Sequence, residues 1–135
     1  MNSPDDFDLK LIRRAWSRLT SATPDEWTRE SSARGQCAIT ACVMQDCLGG
    51  KLIRTMATAP GREPASHYAN LLDNGVILDA TASQFPEGTE FEEWEERTRE
   101  YVLGYPATLA RYYLLVQRIN EVATLDLVRK EGITP

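Results

Sequence analysis

A single histidine and three cysteines are all that this 135-residue chain offers of the residues that most often bind metals or attack carbonyls. With one imidazole, a zinc site would have to recruit carboxylates from elsewhere. The cysteines stand at 37, 42 and 47, spaced five apart. Each step of five turns a thiol by about 140° around a helix, so the three cannot share a metal. Their odd number, with no signal-peptide pattern in the acidic start Met1-Asn2-Ser3-Pro4-Asp5-Asp6, implies reduced thiols in a cytoplasmic protein. No run approaches the ~20 apolar residues a membrane-spanning helix needs. A basic surplus is also missing. With 15 Lys and Arg against 20 Asp and Glu, the net charge is −5, which argues against nucleic acid or an anionic membrane as main partner. No loop has the ligand spacing of a calcium site, and nothing in the chain implies a cofactor. Without repeats or low-complexity linkers, residues 1–135 read as one domain, with about 123–135 expected to be a loosely ordered tail.

What is present suffices for a packed core, since 42% of the residues are hydrophobic. Ser3-Pro4 is a helix start, with serine as cap, proline at the first helical position, and Asp5 and Asp6 in the first turn. Phe7, Leu11, Ala15 and Leu19, widened by Ile12 and Trp16, predict an amphipathic helix over about 4–20. Residues 28–36 are polar and read as a loop. From 37 to about 48 the chain is apolar on nearly all sides, as a buried helix is, and Gly49-Gly50 ends it. Lys51 to Thr58 is β-prone, and Ser66–Leu72 and Val76–Thr81 flank the turn signal Asp73-Asn74-Gly75. Pro86 to Glu100 is acidic, with Phe91 and Trp94 expected to dock on the body; an acidic partner-docking surface is the sharper alternative. Tyr105-Pro106 opens a last helix with Leu109, Tyr112, Val116 and Ile119 on one face. The expected class is α+β, a buried helix packed on a small antiparallel sheet and flanked by N- and C-terminal helices.

Cys37 differs from the other two cysteines by position. It follows Gly35-Gln36 and opens the buried helix, where unpaired backbone N–H groups and the helix dipole favour an anion. A thiolate is the reactive form of a thiol, and the same N–H groups with Gln36 could hold a developing oxyanion. Cys42 and Cys47 lie inside the helix, the usual place for a cysteine that only fills space. A cysteine nucleophile needs a base, and the base needs a partner to fix its tautomer. His67 lies on the first hairpin strand and Asp79 on the return strand. A two-residue Asn74-Gly75 turn would put Asp79 on the face opposite His67. A three-residue Asp73-Asn74-Gly75 loop, with Gly75 left-handed, pairs Leu72 with Val76 and Ala69 with Asp79. Asp79 then lies diagonally across from His67 on the same face, within hydrogen-bonding reach. Each residue also has a structural reading: core filling for Cys37, a packed strand residue for His67, and a cap or turn residue for Asp79.

Gly35-Gln36-Cys37-Ala38-Ile39-Thr40-Ala41, Leu48-Gly49-Gly50-Lys51-Leu52-Ile53-Arg54, Ser66-His67-Tyr68-Ala69-Asn70 and Asp79-Ala80-Thr81-Ala82-Ser83-Gln84-Phe85 resemble the YunG-like family of small bacterial proteins. So do Arg99-Glu100-Tyr101-Val102-Leu103 and the run from Ala110 to Leu115. More distantly, Gly-Gln-Cys before a helix, a histidine on a strand and Asp-x-Thr on the next resemble papain-like and transglutaminase-like cores. No tryptophan follows Cys37 or His67, as one often does in transglutaminases. The resemblance implies a Cys-His-Asp site, carried here onto Cys37, His67 and Asp79. Three readings follow. The first is a thiol acyl-transfer enzyme with Gln36 at the oxyanion, hydrolysing a peptide, isopeptide or side-chain amide, or transamidating it, on a protein, a peptide or a small amide. The second is a catalytically silent protein-binding module. The third is a zinc site built from Cys37, His67 and Asp79.

Overall fold

In the computed structural model, which describes residues 4–132, helix α1 spans Pro4–Ala15. The expected Ser3 cap and the side chains of Asp5, Asp6 and Phe7 lie outside what is described. The helix stops five residues short of the expected end at about residue 20, and a separate 3₁₀ turn follows at Arg18–Thr20. Ser17 causes the break. Its hydroxyl accepts from the Thr20 N–H while the Thr20 hydroxyl accepts from the Ser17 N–H, a reciprocal cap that starts a new turn. Leu19, expected on the buried stripe, is therefore 73% exposed, whereas Ile12, Ala15 and Trp16 face the core as the same stripe predicts.

Helix α2, Cys37–Leu48, buries an unbroken run from Ile39 to Met44. This agrees with its all-round apolar sequence. Strand β1 follows at once, Lys51–Thr58, and is the centre of an antiparallel sheet. On one side it pairs with β2 (Ala65–Leu71), which pairs in turn with β3 (Ile77–Leu78). On the other side it pairs with β4 (Glu90–Phe91) near one end and β5 (Glu95–Arg97) near the other. Helix α3, Arg99–Leu103, leads to α4, Pro106–Glu131. The last helix continues through the stretch expected to lose regularity and ends at Gly132.

The apolar contacts lie in two groups around α2. Ile39, Val43 and Met44 pack with Ile12, Ala15 and Trp16 from the N-terminal segment and Leu115 from α4. Ala41 and Cys42 pack with Leu52 of β1 and Val102 of α3. Full burial of side chains of this size contributes about 1.5–3 kcal/mol each, so α2 is held by its neighbours more than by its own helix propensity. Polar ties fix its orientation. Asn70 on β2, fully buried, donates to the Ala41 carbonyl at 2.8 Å. Arg99 donates to the Cys42 carbonyl at 3.1 Å and forms an ion pair with Asp46 at 2.9 Å. Tyr112 of α4 donates to Asp46 and accepts from Arg99, which joins α2, α3 and α4.

Candidate functional site

The loop before α2 delivers Cys37 by a tight approach. Gly35 has φ +75°, and a β-carbon there would stand 2.3 Å from the Ser21 hydroxyl and 2.8 Å from the Ala22 nitrogen. Only glycine fits. Cys37 then opens α2 at the wall of a cleft of about 1060 Å³, shared with Tyr68, Phe85, Tyr101, Tyr105 and Arg111. Its thiol is partly accessible, Cys42 is buried and Cys47 is exposed. Burial pushes the Cys42 thiol up to about 11, so at neutral pH it stays protonated.

Gln36 lies behind the loop and not in the cleft wall. It is wholly buried. Its Oε1 accepts the Thr20 hydroxyl at 2.8 Å, and its Nε2 donates to the Ser17 carbonyl at 3.0 Å. One turn further along α2, Thr40 accepts the Trp16 indole N–H at 2.9 Å. The start of the helix is thus fastened to the segment that follows α1.

The hairpin adopts the longer loop. Asn70 pairs with Leu78 and Leu71 with Ile77, while the Leu72 N–H donates to the Val76 carbonyl and the Gly75 N–H to the Leu72 carbonyl. Gly75 has φ +86°, the left-handed position that the three-residue loop requires. Although β3 ends at Leu78, continuing its register sets Asp79 opposite Ala69 and diagonal to His67. The two side chains meet: His67 Nε2 and Asp79 Oδ2 are 2.7 Å apart. Asp79 also does what its bland reading expects, because Oδ1 accepts the Thr81 N–H at 3.3 Å and so caps the turn.

His67 has no solvent exposure. The Phe85 ring meets it edge-on at 4.6 Å, and Trp94 and Phe91 lie at 5.8 and 6.2 Å. Phe91 and Trp94 dock on the body as expected; that they enclose the imidazole was not legible in the sequence. Burial alone would lower the imidazole pKa, but the Asp79 hydrogen bond and the nearby Cys37 outweigh it and push the value up to about 9. The thiol is close enough to act on the ring yet makes no aligned hydrogen bond to it. Nδ1 has no partner among the described residues.

The structure therefore brings His67 and Asp79 into direct contact and sets Cys37 beside them. Gln36 it places in a buried brace one residue away. Among the described residues, no group of three or more histidine, cysteine, aspartate or glutamate side chains is arranged to hold a metal ion, which leaves the zinc reading without support. Sequence reasoning missed Arg111. It lies on α4 in the cleft wall, near enough to feel the Cys37 thiol, one turn before the fully buried Leu115. That spacing, an arginine on the face of a core leucine, was the available signal.

A family model described as "YunG protein" matches residues 6–124. An uncharacterized protein, YunG of Bacillus subtilis (strain 168), is 34% identical over 82 residues, which cover 61% of this chain and 64% of that relative. The matched part thus spans just under two thirds of that relative's length. No solved structure matches the chain.

Proposed function

The chain belongs to the YunG family, and on the strength of its cleft cysteine and carboxylate-held imidazole we propose that it is a thiol-dependent acyl-transfer enzyme on a papain-like or transglutaminase-like core. One observation carries the reading. The imidazole of His67 is fully buried, bound through Nε2 to Asp79, and left with an unpartnered Nδ1 in the neighbourhood of Cys37. A core histidine would normally have both nitrogens satisfied. A general base keeps one open.

In the proposed reaction His67, its pKa raised to about 9, holds at Nδ1 the proton given up by Cys37, and the sulfur attacks the carbonyl carbon of an amide. The resulting oxyanion is held by the Cys37 backbone N–H at the start of α2; Gln36, with both ends of its amide already bonded, steadies that helix start instead. Asp79 keeps the Nε2 proton in place and stabilises the imidazolium that forms. The imidazolium then returns its proton to the departing amine, leaving a thioester on Cys37. Water, deprotonated by His67, completes hydrolysis; an amine in its place completes transamidation. A peptide, isopeptide or side-chain amide fits this chemistry, in a cytoplasmic setting.

A catalytically silent protein-binding module is the second reading, favoured by the complete burial of His67. Iodoacetamide applied to the native protein near pH 6, with each cysteine followed by mass spectrometry, separates the two. The enzyme reading expects Cys37 to react well ahead of the exposed Cys47, and His67→Ala to erase that lead. Equal, slow labelling of Cys37 and Cys47 would overturn it.

A further inference from the structure

Four arginines line the cleft that contains Cys37, and they fall into two kinds. Arg34 and Arg62 both grip Glu26, at 3.0 and 2.9 Å, so one carboxylate offsets two rim cations. Arg54 and Arg111 form no ion pair among the described residues. Arg54 Nη2 reaches only the Met56 sulfur at 3.5 Å. Arg111 donates from Nη2 to the Thr108 hydroxyl at 3.2 Å, and its buried Nε has no partner. A guanidinium N–H withdrawn from water without an acceptor is costly. Here the cost is accepted in the cleft that holds the thiol, whose lining includes Tyr68, Tyr101, Tyr105 and Phe85 and also the carboxylates of Glu26 and Glu63.

We propose that Arg111 is a specificity-determining residue that receives a free carboxylate carried on the acyl group next to the carbonyl that Cys37 attacks. The proposal rests on the acyl-transfer reading and narrows its substrate class, from amides in general to amides of acids that bear a second, ionised carboxylate near the reacting carbon. Geometry supports it in three ways. The guanidinium and the thiol share one cleft. The guanidinium has an unfilled donor in a partly desolvated position, where an anion binds most strongly. Its planar fork also matches a carboxylate with two parallel hydrogen bonds, which a lysine could not supply. Burial lowers the Arg111 pKa, with the Cys37 thiol opposing, as expected for a cation lacking a fixed counter-ion.

Iodoacetate and iodoacetamide differ only in whether a carboxylate or an amide sits beside the carbon that sulfur attacks, so their rate ratio at Cys37 reports the anion site. Thiol activation raises both rates and cancels from the ratio. Expressed relative to the same ratio for glutathione, the native protein should favour iodoacetate by about tenfold, within the range that local charge gives to rates. In Arg111→Gln the preference should fall to that of glutathione, and in Arg111→Lys, which keeps the charge and loses the fork, to an intermediate value. A native ratio equal to that of glutathione would overturn the proposal, and so would a preference that survives in Arg111→Gln, since His67 or Arg54 would then be its source. If Arg111→Gln does not fold, Arg111→Lys decides, and an unchanged ratio there counts against the fork. Slow reaction of Cys37 with both reagents would sink the acyl-transfer reading while the ratio still judges Arg111.

Discussion

Gln36 and His67 are two fully buried polar side chains close to Cys37, one just before it in the chain and one on β2. Gln36 is held at both ends of its amide, by Thr20 and by Ser17. His67 is held at one nitrogen only, by Asp79. A satisfied buried group fixes a loop and a helix start. A half-satisfied one keeps a hydrogen-bonding position in reserve, which costs stability and persists where chemistry uses it. The contrast teaches that a buried brace and a buried group with a bonding position to spare can be told apart by counting partners, even when burial is the same.

The contrast breaks most clearly through reactivity. His67→Ala is expected to slow alkylation of Cys37 near neutral pH by about 100-fold or more, the usual range for loss of a general base. Gln36→Ala should leave much of that reactivity in place. A variant series with the opposite order would exchange the roles of the two residues. Next in size is the stability effect. Removing the Gln36 amide takes one hydrogen bond each from the buried Thr20 hydroxyl and the partly buried Ser17 carbonyl, so Gln36→Ala should cost about 1–3 kcal/mol in urea unfolding. A loss below about 0.5 kcal/mol would show that the brace is not one.

The third expectation concerns pH. The His67 pKa is raised from 6.5 to about 9, so the folded state binds its proton more tightly than the unfolded chain does. The stability this contributes is fully present below about pH 6.5 and is lost as pH rises through about 9. Urea unfolding at pH 6 and pH 9.5 should show that loss, and His67→Ala should remove the His67 share of it. Because the chain has one histidine, its imidazole can be titrated by NMR without ambiguity. Asp79→Asn should lower the measured pKa by about one unit or more. An unchanged value would mean that Asp79 does not hold the ring. The smallest effect is expected at Gly75, where φ is +86° and a β-carbon meets nothing within 4 Å. Gly75→Ala should cost only about 1 kcal/mol of backbone strain, leaving the hairpin register and the His67–Asp79 contact intact. A much larger loss of Cys37 reactivity in that variant would mean that the loop tunes the site directly.

Some features of this protein were legible in the one-dimensional chain because they depend on near neighbours. The apolar run from Ile39 to Met44 makes a buried helix wherever it packs, and the glycine pair after Leu48 ends it. Asp73-Asn74-Gly75 admits a two- or a three-residue loop, and in the three-residue loop that forms, the diagonal meeting of His67 and Asp79 follows by strand geometry. Leu19 shows the limit of the same reasoning. Its four-residue spacing from Ala15 was real, but the reciprocal Ser17–Thr20 cap had the stronger local claim and turned the side chain outward.

What the tertiary structure alone decided is which distant groups crowd one another. Phe85 follows the turn that Asp79 caps, whereas Phe91 and Trp94 come from the acidic stretch beyond it and meet the imidazole because β4 and β5 pair with β1. Arg111 shares the cleft with the thiol only because α4 packs on α2. Periodicity tells a residue which face of its own element it shares, and glycine tells a turn its length. Neither carries information about which other element will cover that face, because burial is won by summed contacts among segments far apart in the chain. The polar partners of a buried group are settled at that same step.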